Sequence, residues 1–289
     1  MTYEKSMSSN EPGLFVILID QSGSMKEPFG SSGRRVSKAE IVTVNVNRVL
    51  AELCLRNTKD VGGRPAVKPR IDISAIGYGN DERDDHAVRP VFPGALANKY
   101  VVTLPELAKN FIRLRDYQKE GSRDVTRMPE WIEPISVGAT PMGTALKTAR
   151  EVVNAWVTRH MTSFPPIVIN FTDGAVTDVK PEELKLLAEQ LKAISTGDGK
   201  LLLFKCHISS GKGKMCFLPA NKEDVPSEEY AQLLFDISSN LPSKMVSLAR
   251  GRGFTKASEM CRGFGYNVDV ANFVHFLQIG TIGLASALG

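Results

Sequence analysis

With 289 residues, 42% of them hydrophobic and 24% charged, the chain has enough apolar material for an ordinary core, and wholesale disorder is excluded. The formal net charge of +4, from 36 Lys and Arg against 32 Asp and Glu, comes without a long basic run, so composition gives nucleic-acid binding no support. No stretch of about 18 apolar residues is present, which argues against a membrane span.

Residues 1–12 read as a polar N-terminal tail lacking the apolar segment of a signal peptide, and 13–280 as a single domain. Leu14 to Ile19 is a continuous apolar run ending in Asp20, the pattern of a strand buried on both faces of a parallel sheet. A Gly- and Ser-rich loop follows to about Gly33. From Ser37 to Leu55, Ile41, Val42, Val49, Leu50 and Leu53 recur at helical spacing, and Ser37 with Glu40 suits a capping box. Arg70 to Tyr78 alternates into a second strand. A third, roughly His86 to Phe92, is expected at the sheet edge because Pro90 and Pro93 disfavour a central position. Between Lys99 and Trp131 the pattern is weak: a helix over Pro105–Ile112, then a charged loop. No functional motif falls in 93–131.

The pattern sharpens at Thr140, where a helix starts and runs to about His160. Ile167 to Phe171 is another buried strand. Pro181 with acids behind it opens a helix reaching Ile194, since proline and negative charge both suit a first helical turn. Leu201 to His207 is the next strand, and a last helix covers Val270 to Leu277. Strands separated by helical crossovers predict an α/β fold, a doubly wound and mostly parallel sheet with helices on both faces. Cys54, Cys206, Cys216 and Cys261 lack CxxC spacing and read as buried free thiols in a reducing compartment, so the expected location is cytoplasmic.

In open α/β sheets, ligands gather beyond the carboxyl ends of the strands. Two strands here end in oxygen donors: one delivers Asp20-Gln21-Ser22-Gly23-Ser24, the other Thr172-Asp173-Gly174. Between them, Gly138-Ala139-Thr140-Pro141-Met142-Gly143 enters a helix. If the strands are neighbours, Asp20, Ser22, Ser24, Thr140 and Asp173 converge. Carboxylate and hydroxyl oxygens are hard donors, suited to Mg²⁺, Mn²⁺ or Ca²⁺ and not to zinc or copper. These five groups fall short of the roughly six oxygens Mg²⁺ takes, so an open position is expected. Two carboxylates barely neutralise a divalent ion, which favours one more anionic oxygen from outside.

The three motifs in this order resemble the metal-ion-dependent adhesion site of von Willebrand factor A domains, and the similarity runs from about Gly13 to Leu277. The resemblance implies a six-stranded sheet of order 3-2-1-4-5-6 with one antiparallel edge strand. It implies Asp20, Ser22 and Ser24 as loop ligands, Thr140 as a ligand that comes and goes with conformation, and Asp173 as a direct or water-mediated ligand. The stretch Glu259 to Phe273 resembles the bacterial TerY-like, tellurium-resistance-associated branch, which implies a stress-response setting beside a protein phosphatase and a protein kinase. The expected function is metal-dependent binding of a partner protein through its Asp or Glu, without catalysis. The alternative is a Mg-dependent hydrolase or phosphatase using the same site. It lacks support because phosphatases with an aspartate nucleophile place a second acid two residues on, where this chain has Ser22.

Two further readings concern the surroundings. His207 closes a strand that can reach the metal edge, and reads as structural. Met25 and Met142 follow ligand-bearing motifs, and read either as a soft apolar rim around the ion or as caps on the helices beneath.

Overall fold

A computed structural model of the chain describes residues 3–29, 36–79, 87–118, 125–208, 214–268 and 270–280. The Gly/Ser loop at 30–35 and His86 lie outside the described residues.

Strand β1 (Gly13–Asp20) is fully buried and leads through a short 3-10 turn to helix α1 (Lys38–Arg56). The Ser37 hydroxyl accepts from the Glu40 amide while the Glu40 carboxylate accepts from the Ser37 amide, so the expected capping box is formed. Short strands β2 (Thr58–Asp60) and β3 (Pro65–Val67) make a surface hairpin ahead of β4 (Ile71–Tyr78). Then come β5 (Val88–Pro90), β6 (Val102–Thr103), α2 (Leu104–Lys109), β7 (Arg113–Gln118) and β8 (Val125–Glu130). The second half holds α3 (Met142–Val157), β9 (Ile167–Thr172), α4 (Pro181–Lys192), β10 (Leu202–Ile208) and β11 (Cys216–Phe217). It closes with α5 (Glu229–Ile237), α6 (Ser243–Gly251), β12 (Phe264–Val268) and α7 (Val270–Gly280).

The main sheet runs β11-β12-β10-β9-β1-β4-β5, with β6 also paired to β4. Five neighbouring strands, β12, β10, β9, β1 and β4, are parallel, while β5, β6 and β11 are antiparallel to their partners. Leaving aside the two-residue strands β6 and β11, six strands remain in the order 3-2-1-4-5-6. The sheet is therefore the doubly wound α/β sheet expected, enlarged from six strands to eight.

Side-chain alternation splits β1 between two layers. Phe15, Ile17 and Ile19 pack with α1, α2, α6 and α7, while Leu14, Val16 and Leu18 pack with α3, α4 and α5. Each layer has one buried tryptophan. Trp131, on the α1 side, donates its indole N–H to the Leu107 carbonyl, and Trp156, on the α3 side, donates to Asp72 Oδ2 at 2.8 Å. All four cysteines are buried free thiols.

Three expectations need correction. The helix expected over Pro105–Ile112 stops at Lys109, because the Asn110 side chain bonds back to the Glu106 carbonyl and the chain turns outward. The expected charged loop is instead the ribbon β7–β8, a separate two-stranded sheet. Its stability comes from polar contacts: Glu130, 2% exposed, accepts from Arg113 at 2.7 Å, Arg115 at 3.2 Å and Tyr117 at 2.6 Å. Strand β12 was not anticipated at all. No helix among the described residues is long and apolar enough to cross a membrane.

Candidate metal centre

Strand register brings the ligand-bearing motifs together. Ile19 lies opposite Phe171 and Asp20 opposite Tyr78, while Thr172 lies opposite His207. Asp20 and Thr172 thus leave the sheet at one level on adjacent strands. The Thr172 hydroxyl donates to Asp20 Oδ2 at 2.7 Å, and the Ser22 amide donates to Asp20 Oδ1 at 2.8 Å. The loop after β1 therefore curls back on its own carboxylate, as an Asx turn does.

The hydroxyls continue the network. Ser22 and Ser24 share a hydrogen bond of 3.1 Å, and Ser24 donates to Asp173 Oδ1 at 2.7 Å. Thr140 joins from the second motif. A Cβ placed on Gly174 would stand 3.6 Å from Ser24 Oγ and 3.7 Å from Thr140 Oγ1, so both hydroxyl oxygens lie close to Gly174. Four of the five residues singled out by sequence are joined by hydrogen bonds, and the Thr140 hydroxyl lies beside Gly174 next to them.

Backbone bonds fix the loops. Gly23 donates to the Gly138 carbonyl at 2.8 Å and Val137 to the Gln21 carbonyl at 2.6 Å, stitching the first motif to the second. Thr140 and Thr177 exchange bonds of 3.0 and 3.1 Å, stitching the second to the third. Asp178 then caps α3 from outside the helix, accepting from the amides of Gly143 and Thr144 and from the Thr144 hydroxyl. Gly143 is needed there, because a Cβ would come within 2.7 Å of the Val179 methyl carbons.

Sequence reasoning missed Lys38. Its ammonium donates to Asp173 Oδ2 and to Glu27 Oε2, each at 2.8 Å. The Lys38 and Asp173 side chains are 6% and 0% exposed, while Glu27 is 55% exposed. Burial works against the Lys38 charge, but hydrogen bonds and attraction from Asp173 and Glu27 outweigh it and raise the pKa above the usual lysine value. A clue was present in the sequence. Lysine at the first position of a helix faces the positive end of the helix dipole, an unfavourable place without a local anion. Asp178 and Thr172 were missed as well, though both sit in or next to the third motif.

Electrostatics indicate what the cluster can accept. Burial pushes the Asp20 carboxyl up to about 6 against the lowering effect of its bonds to Ser22 and Thr172, and the nearby Asp173 charge adds to the rise. A fully buried carboxylate ringed by hydroxyl oxygens is an arrangement that a hard cation relieves. The donor set fits Mg²⁺, Mn²⁺ or Ca²⁺: Asp20, Ser22, Ser24 and Thr140 would hold the ion, with Asp173 beside them. No group of three or more His, Cys, Asp or Glu side chains among the described residues forms a metal-holding cluster. Asp20 and Asp173 are the two carboxylates of this set, which leaves it poor in negative charge.

The surroundings differ from part of the sequence reading. Met25 and Met142 are fully buried, so the alternative of an apolar rim is ruled out. Ile135 and Val137, 38% and 43% exposed, are the apolar side chains on the loop flanking the first motif. His207 is buried, stacks on Tyr266 at 4.1 Å and meets Tyr230 edge-on, in keeping with a structural histidine. Burial pushes its pKa down to about 4 despite the attraction of Asp173. Beneath the site, buried Lys205 donates to Asn170 Oδ1 at 2.9 Å, and Asn170 donates to the Tyr78 hydroxyl at 2.6 Å. Met142 Sδ lies 3.7 Å from the same ammonium, and burial pushes the Lys205 pKa down to about 7.

The sequence matches no family model and no curated protein. Among solved structures, the chain is similar to the von Willebrand factor type A protein from Catenulispora acidiphila, with 13% identity, a TM-score of 0.40, and coverage of 86% of this chain and 43% of that one. It is also similar to the PilB minor pilin from Streptococcus sanguinis, with 11% identity, a TM-score of 0.44, and coverage of 96% of this chain and 63% of that one. The chain thus spans less than two thirds of the length of either structure.

Proposed function

We propose that this chain is a metal-dependent protein-binding module, in which Asp20, Ser22, Ser24, Thr140 and Asp173 hold Mg²⁺, Mn²⁺ or Ca²⁺ and engage an Asp or Glu of a partner protein. The observation carrying this reading is the continuous hydrogen-bonded chain Thr172–Asp20–Ser22–Ser24–Asp173, with the Thr140 and Ser24 hydroxyls both beside Gly174. When bound, the ion supplies a hard Lewis-acid position for an anionic oxygen. The chain's own residues set the loop shape, keep Asp20 out of bulk water and leave Ile135 and Val137 exposed alongside. The module acts by binding and not by turnover. Its setting is a bacterial cytoplasmic stress-response system of the tellurium-resistance type, with a phosphatase or kinase of that system as partner.

Two experiments test this. Mn²⁺ titration by calorimetry should show one site in the wild type and none in Asp20→Ala. Partner capture from native lysate should occur in Mg²⁺ and disappear on EDTA, while partner binding unaffected by EDTA would refute the reading. Hydrolysis of a phosphoester by the Mg²⁺-loaded protein would favour the hydrolase alternative instead.

A further inference from the structure

Lys38 is a fixed positive charge built into the donor cluster. It is the first residue of α1, its side chain is 6% exposed, and it bonds Asp173 Oδ2 while Ser24 bonds Asp173 Oδ1. Both oxygens of Asp173 therefore already carry a donor, one of them cationic, so an ion at this site competes with Lys38 for the same carboxylate. Among the buried charges, Asp20 and Asp173 contribute two negatives and Lys38 one positive, so the cluster presents a net single negative charge. Glu27 also bonds Lys38, but it is half exposed, so its charge is screened by water more than those of the buried carboxylates.

We propose that Lys38 is an internal counter-cation that competes with the ion for Asp173 and weakens the site for divalent ions taken alone. The inference rests on the metal reading above and gives it a consequence. With a divalent ion added, the buried cluster carries a net positive charge, where the two carboxylates alone would have balanced the ion. That residual charge favours an anionic ligand, and it makes ion and anion bind better together than apart. Because Lys38 is nearly closed to solvent, its repulsion of the ion is screened far less than that of a surface lysine. The N-terminal end of α1 adds to the same positive potential.

The test is Mn²⁺ binding to the full chain, measured by calorimetry and by the Mn²⁺-induced rise in Tm, for wild type, Lys38→Met, Lys38→Gln, Lys38→Arg and Asp20→Asn. Lys38→Met and Lys38→Gln should bind Mn²⁺ at least about tenfold more tightly than wild type, as expected when a poorly screened like charge is removed. They should also gain more in Tm, and Lys38→Arg should stay near wild type. Lys38→Gln guards against a folding defect in the methionine variant, since it keeps a donor for Asp173. Unchanged or weaker Mn²⁺ binding by folded Lys38→Met or Lys38→Gln, with wild-type binding still abolished by Asp20→Asn, overturns the role of Lys38 and leaves the metal reading intact. Binding that Asp20→Asn does not alter, or no binding by any variant, overturns both.

Discussion

Ser24 donates its hydroxyl to Asp173 Oδ1 at 2.7 Å, although 149 residues of chain separate the two. The bond ties the first motif to the third through the protein's own side chains. Preorganisation of this kind lowers the entropic cost of binding.

Asp20→Asn should fold and lose its response to metal. Wild type at an Mn²⁺ concentration about 100 times the Kd should gain about 2.7 kcal/mol of stability, and the variant none. The metal-free variant should be no less stable than wild type at neutral pH. The folded-state pKa of Asp20 is raised to about 6, so the native state holds this proton more tightly than the unfolded chain. Stability therefore falls as pH rises from about 4 to about 6, and substitution removes that fall. Urea unfolding in EDTA checks the point.

Lys205 predicts a pH dependence of the opposite direction. Its folded-state pKa is lowered to about 7 from 10.5, so between these values the unfolded chain binds more protons than the native state. Stability relative to Lys205→Met should rise from about pH 7 towards pH 10.5, by a few kcal/mol in all, since each step of one in pH contributes about 1.4 kcal/mol at most. Lys205→Met should be the more stable protein at pH 6. Parallel urea curves at pH 6, 7.5 and 9 decide it, and a flat difference between the two proteins would refute the burial argument.

Asp178→Ala should remove three bonds from the start of α3 and cost about 1–2 kcal/mol, the usual range for a lost helix cap. Thr140 lies two residues before that helix, so Mn²⁺ affinity should fall together with Tm. A drop in Tm with unaltered Mn²⁺ affinity would show that Thr140 does not depend on the cap.

Glu130→Ala should loosen the β7–β8 ribbon and leave the main sheet intact. Arg113 and Arg115 are about half exposed and regain water, so the global cost should be about 1 kcal/mol or less. Amide exchange should speed up at residues 113–117, 125–128 and 130 and stay unchanged in β1 and β9.

What the sequence disclosed follows its periodicity. β1 is an unbroken apolar run up to Asp20, β9 and β10 are mostly apolar with one or two polar residues each, α1 has its capping box, α4 its initial proline, and each of the three site motifs lies at a strand end or helix start. The ribbon was hidden because Arg-Leu-Arg-Asp-Tyr-Gln has no apolar face; a buried carboxylate replaces a core, and that leaves no pattern in hydropathy. β12 was hidden because Phe264–Val268 contains Gly265 and Asn267, the latter at a φ of 52°, and such residues read as a turn. Lys38 was passed over because its one clue, a cation at the positive end of a helix dipole, does not name the anion that answers it. Its role depends on Asp173, which is remote in sequence.

The placement of the two tryptophans offers a way to watch the molecule come apart. Trp131 sits in the layer with α1, and Trp156 in the layer with α3, each shielded from water and each bonded to a different part of the chain. Replacing one or the other with phenylalanine leaves a fluorescent reporter in a single layer. Coincident transitions for the two reporters would mean that both layers dissolve in one cooperative step, and separated transitions would identify the layer that yields first.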